Sequence, residues 1–145
     1  MITNKPYILL WVTIPFLLII SALSLEKSID IQIHDTYFVI TSMHISFAFA
    51  ILLGFSGFIY WLLRNKEQFK WLTIFHVVSI IFIPIILLII AAVSHHLVRS
   101  GNLDSFNFVM TASAYLMLFV TFSQIIFILN IAICLIRNQP KKNTL

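Results

Sequence analysis

The chain has one cysteine, Cys134. A single thiol permits no internal disulfide, no cysteine-based zinc site and no C-x-x-C-H attachment of a c-type haem. Charge is also scarce: charged residues make up 10% of the 145 positions, and only 5 are acidic. Short repeats and low-complexity linkers are lacking as well. What fills the chain is apolar. Hydrophobic residues make up 61% of it, and its mean hydropathy is +1.04. A soluble domain of this length cannot bury so much apolar surface, so the bilayer is the solvent. The net charge of +4 comes from basic residues placed mostly at segment ends. That placement reads as topogenic charge and argues against nucleic acid as a partner.

Four apolar runs follow one another, at 7–25, 37–63, 71–94 and 108–136. Each comes close to or exceeds the roughly 20 residues that a membrane helix needs. The expected fold is an all-α membrane protein, one domain over residues 1–145 with four transmembrane helices. The first run also resembles a signal peptide, because Ala22-Leu23-Ser24 is a passable cleavage site. Its length, with Trp11 and Pro15 inside it, favours a retained helix. Tyr60-Trp61 closes the second run at interface depth. Pro84 predicts a kink in the third, and Thr111-Ala112-Ser113-Ala114 gives the fourth a small-residue start. Lys5, Arg64, Lys66, Lys70, Arg137, Lys141 and Lys142 lie on one side of the predicted spans. Only Lys27 and Arg99 lie on the other. Both termini are therefore expected in the cytoplasm, with the chain in the inner (cytoplasmic) membrane of a bacterium.

One stretch stands apart, Ile29 to His44. It holds two of the 5 acidic residues and two of the 5 histidines. Ile29-Asp30-Ile31-Gln32-Ile33-His34 alternates apolar and polar residues, which predicts extended chain. Asp35 or Thr36 then reads as a helix N-cap, with Tyr37 opening the second helix. On that reading His44 lies about two turns inside, roughly 10 Å deep at 1.5 Å per residue. A histidine at that depth is costly unless it is paired or ligated.

Asp30-Ile31-Gln32-Ile33-His34-Asp35-Thr36-Tyr37-Phe38-Val39-Ile40 resembles a motif of the haem–copper oxidase catalytic subunit, subunit I of cytochrome c and quinol oxidases. The pattern D-I-x-x-H-D-T-Y-[FY]-V-[IV] opens helix ten of that family and continues as A-H-F-H. The first of those histidines holds the high-spin haem of the active site, and the second holds the low-spin haem. Here the continuation is Thr41-Ser42-Met43-His44, so the low-spin position keeps its histidine and the high-spin position is Ser42. Gly57-Phe58-Ile59-Tyr60-Trp61 is similar to the end of helix ten, and Pro84 to a proline of helix eleven. His95-His96-x-x-Arg99 falls where the family meets its haem propionates. Phe122 to Asn130 is similar to the end of helix twelve. The resemblance thus covers helices nine to twelve. The eight helices that carry the copper ligands, the cross-linked tyrosine and the proton channels have no counterpart, and copper is not expected.

Ser42, Ser46, Ala50 and Gly54 recur every four residues, a small-residue face suited to close helix packing. His44, Phe47, Ala48, Ile51 and Phe55 lie on another face, where Ala48 leaves room beside aromatic neighbours. The resemblance implies a haem on His44. Met117 is the one candidate second ligand at a similar level, and a histidine from another subunit is the alternative. His95, His96 and Arg99 are candidate propionate contacts. His34 and Asp35 match a family pair that binds magnesium with a carboxylate from another subunit, or else they form a loop and capping cluster. Three readings remain. The chain is a non-catalytic membrane subunit, with or without a haem, of a respiratory electron-transfer complex. Or it is a small b-type cytochrome, with haem on His44 in a homo-oligomer. Or it is a cofactor-free four-helix scaffold. With Ser42 at the high-spin position, oxygen reduction by this chain alone is not expected.

Overall fold

The computed structural model describes residues 5–23, 28–33, 35–100 and 103–137. Its elements run in the order α1 (Pro6–Ala22), β1 (Ser28–Ile33), β2 (Thr36–Thr41), α2 (Ser42–Leu62), α3 (Lys70–Ser100) and α4 (Leu103–Arg137). Three helices, α2 to α4, are long and apolar enough to cross a membrane. The first, α1, is apolar but has 17 residues. At 1.5 Å per residue that is about 25 Å, short of a hydrocarbon core of about 30 Å. Pro6 opens α1 at a position where the missing N–H costs nothing.

The second helix starts later than expected. Thr36 to Thr41 forms β2, paired antiparallel with β1 from Ser28↔Thr41 to Ile33↔Thr36. Every residue of Thr36-Tyr37-Phe38-Val39-Ile40-Thr41 is β-branched or aromatic, the composition that suits a pleated surface. The alternating segment before it supplies the partner strand. Asp35 therefore lies between two strands instead of capping a helix, and Thr41 takes the N-cap position of α2. His44 consequently stands in the first turn of α2 and not two turns inside it.

A second boundary also moves. The connection expected at 95–107 is almost entirely helical, since α3 runs to Ser100 and α4 starts at Leu103. No proline or glycine lies between His95 and Gly101, so the helix has no reason to stop in that stretch. Asp104 then falls in the first turn of α4, where its charge complements the helix dipole.

The helices pack mainly in pairs, α1 on α2 and α3 on α4, with α3 also touching α1 and α2. Strand β1 lies against α3 and α4. Buried positions recur every three or four residues: Ile45, Phe49, Leu53, Ser56 and Tyr60 on α2, and Val77, Ile80, Ile83, Leu87 and Ala91 on α3. This is the narrow stripe of helices packed side by side. Serines and glycines let the backbones come close. Ser42, Ser46 and Ser56 are fully buried. A Cβ on Gly57 would lie 2.5 Å from Nε1 of Trp11, so α1 and α2 meet at a contact that only glycine permits.

Candidate functional site

The helix face that carries Ser42 is closed. Ser42 and Ser46 have no exposed surface. Further along, a Cβ on Gly54 would lie 3.8 Å from Cδ1 of Ile14 on α1. Ser42 and Ser46 thus lie on a helix-packing surface.

His44 is on the open side. Its ring is exposed, and so are Met43, Phe47, Ala48, Ile51 and Phe55 around and below it. The Thr41 hydroxyl is hydrogen-bonded to His44 Nδ1 at 2.5 Å. Thr41 is at the N-cap position and His44 is the third residue of the helix, so their side chains meet over the first turn. Holding one ring nitrogen fixes the ring's orientation and leaves Nε2 for another partner. Metal-ligating histidines are oriented in this way.

The remaining sequence candidates do not gather around His44. Met117 is half-buried against the core, and no hydrogen bond or ring contact joins it to His44 among the described residues. His96 is exposed on the last turns of α3, while the side chains of His95 and Arg99 lie outside the described residues. Asp35 is exposed between the strands, and His34 lies outside the described residues. Among the described residues no three His, Cys, Asp or Glu side chains come together in a way that could hold a metal.

A second polar constellation lies inside the bundle, and sequence reasoning missed it. His76 of α3 is fully buried. Its Nδ1 is 3.1 Å from the hydroxyl of Tyr60 on α2. Its ring stacks on Phe127 of α4, with centroids 4.4 Å apart at 17°. Nearby, Asn130 of α4 bridges to the start of α3. Its Nδ2 donates to Thr73 Oγ1 at 2.9 Å, and its Oδ1 accepts from the Phe69 N–H at 3.3 Å. Thr73 in turn donates to the Phe69 carbonyl at 3.2 Å. One buried asparagine thus satisfies a backbone donor at the N-terminus of α3, where a helix has no internal acceptor. His76 Nε2 and Gln124 Nε2 are buried with no hydrogen-bond partner among the described residues. One signal was present in the sequence. Thr73, His76 and Asn130 all fall on the three-and-four spacing of the buried stripe, where a polar side chain must meet another. Compared with protein families, curated proteins and solved structures, the chain matches none of them.

Proposed function

We propose that this chain is a non-catalytic integral membrane subunit of a respiratory electron-transfer complex, similar to the last four helices of haem–copper oxidase subunit I. In this reading α1 also spans the membrane, both termini are cytoplasmic, and the membrane is the inner membrane of a bacterium. The observation that carries the proposal is the contrast between the two faces of α2. The Ser42 face is sealed by packing, while His44 stands exposed on an apolar face with Nδ1 already held by Thr41. That contrast suits a subunit that offers a histidine to a neighbour and has no oxygen-reducing site of its own.

A haem fits the residues in part. His44 Nε2 would hold the haem iron, and Ala48 one turn below leaves space beside the ring. Met117, packed into the core, is a poor second ligand, so the second comes from a partner chain or a second copy. When bound, a low-spin haem supplies one-electron transfer. The part of this chain is to hold the ligand nitrogen in a fixed orientation at the membrane boundary.

The cofactor-free scaffold is favoured by one separate observation: the buried Tyr60, His76 and Asn130 contacts join three helices through side chains of the chain itself. Affinity purification of the tagged chain from native membranes in mild detergent separates the two. The proposal expects other membrane subunits and haem in the eluate. A colourless chain eluting alone supports the scaffold.

A further inference from the structure

At the end of the bundle that holds the α2–α3 turn, the chain forms a cavity of about 630 Å³. Among the described residues Arg64, Lys66, Lys70 and Arg137 line it, against one carboxylate, that of Glu67. Glu67 lies 3.8 Å from Arg137, and both side chains are more than half exposed, at 83% and 53%, so that pair is weak. The other three cations are in excess. Arg64 is fixed over the Trp61 ring, 5.0 Å from its centroid. The cavity wall includes Tyr60 and Thr73, each 1% exposed and each part of the buried polar constellation. Basic residues at a helix end are usually a solvated rim. Here they line a concavity with a polar, buried base.

A second cavity, of about 750 Å³, runs along α3 and is almost entirely apolar. Trp71, Phe75, Val78, Phe82 and Ile86 form one wall, with Leu116 and Phe119 of α4 opposite. The α3 residues recur at three- and four-residue spacing, so they make one continuous face. From Trp71 to Ile86 the helix rises about 22 Å, more than half of a hydrocarbon core of about 30 Å. Trp71 lines both cavities, so the charged bowl and the apolar groove adjoin at the start of α3.

We propose that the two cavities together bind one anionic phospholipid. Its phosphate headgroup lies among Arg64, Lys66 and Lys70, and one acyl chain lies along the α3–α4 groove past Trp71. Basic pockets between membrane helices take acidic headgroups by this chemistry. The groove decides between a lipid and a free phosphate, because a soluble anion uses only the charged half. A zwitterionic lipid fills the groove but leaves the surplus cations unneutralised.

The test is equilibrium binding to the full chain, stripped of lipid in detergent micelles. Phosphatidylglycerol and phosphatidylcholine with identical acyl chains are compared by native mass spectrometry. Phosphatidylglycerol is expected to bind about a hundredfold tighter, given a factor of about five for each of the three basic residues near the anionic headgroup. Arg64→Gln with Lys70→Gln removes that preference, and so in part does Lys66→Gln, an exposed turn substitution that disturbs no helix. Val78→Trp fills the groove and weakens both lipids about equally. Millimolar inorganic phosphate leaves the lipid bound. Equal affinity for the two lipids, or an undiminished preference in both charge variants, overturns the proposal. Displacement by inorganic phosphate, or a groove variant that binds as wild type does, reduces the site to one for a soluble anion and overturns the lipid assignment.

Discussion

The Tyr60 hydroxyl lies 3.1 Å from His76 Nδ1, joining α2 to α3 across the interior of the bundle. Phe127 of α4 stacks on the same imidazole, so one buried residue joins three helices. In lipid, helices gain nothing from the hydrophobic effect by associating. Packing and hydrogen bonds must hold them, at about 0.6 kcal/mol and at most about 1.7 kcal/mol per bond. Tyr60→Phe should cost about that much. His76→Phe should cost about as much, because the Tyr60 hydroxyl keeps Asn130 and Thr73 as hydrogen-bond partners. The double variant should recover part of the loss. Unfolding of the three proteins in micelles measures the coupling, and strict additivity would show that the two side chains do not interact.

Asn130 makes a separate prediction. Its side chain receives the Phe69 N–H and donates to Thr73 at the start of α3. Asn130→Leu, similar in volume, should lose about 1–2 kcal/mol and unprotect the first turn of α3. Amide exchange at Phe69 and Thr73 should speed up while exchange at Leu87 stays unchanged. Uniform loss of protection along α3 would contradict a local cap.

The α1–α2 contact is testable with two glycines of one helix. A Cβ on Gly57 would lie 2.5 Å from Trp11 Nε1, whereas on Gly54 the nearest atom is 3.8 Å away. Gly57→Ala should cost about 1–3 kcal/mol through overpacking, and Trp11→Ala in the same chain should relieve it. Gly54→Ala should stay within about 0.5 kcal/mol of wild type. Thermal unfolding of the three variants beside wild type decides the matter, and equal effects at both glycines would sink the packing account.

Hydropathy alone located the helices, because bilayer thickness dictates the length of an apolar run. It located two of their ends poorly. Thr36 to Thr41 is as apolar as a helix start, and only its β-branched and aromatic character, beside an alternating partner, marks a strand. His95 to Arg99 looked like a loop because it is polar, yet polarity does not end a helix, and the next breaker is Gly101. The Ser42 and His44 faces were legible, since a residue's angular position follows from helical geometry once the helix is granted. The joining of Tyr60 to His76 was not. It depends on how α2 and α3 rotate against each other, which no local pattern specifies.

Topology gives a further prediction. If all four helices span, reporter fusions after residues 66 and 102 should report opposite sides, with 66 in the cytoplasm. Reports from the same side would remove α3 as a single span.

The most direct measurement is the reduced-minus-oxidised absorbance spectrum of whatever co-purifies with the tagged chain, wild type against His44→Ala. A subunit that offers His44 to a haem shared with a partner predicts a low-spin haem band in wild type. In His44→Ala the band should be lost while the partner subunits are retained, and His76→Ala should keep it. A normal low-spin band in the His44→Ala complex, or a wild-type chain that is colourless and alone, would contradict the proposed function.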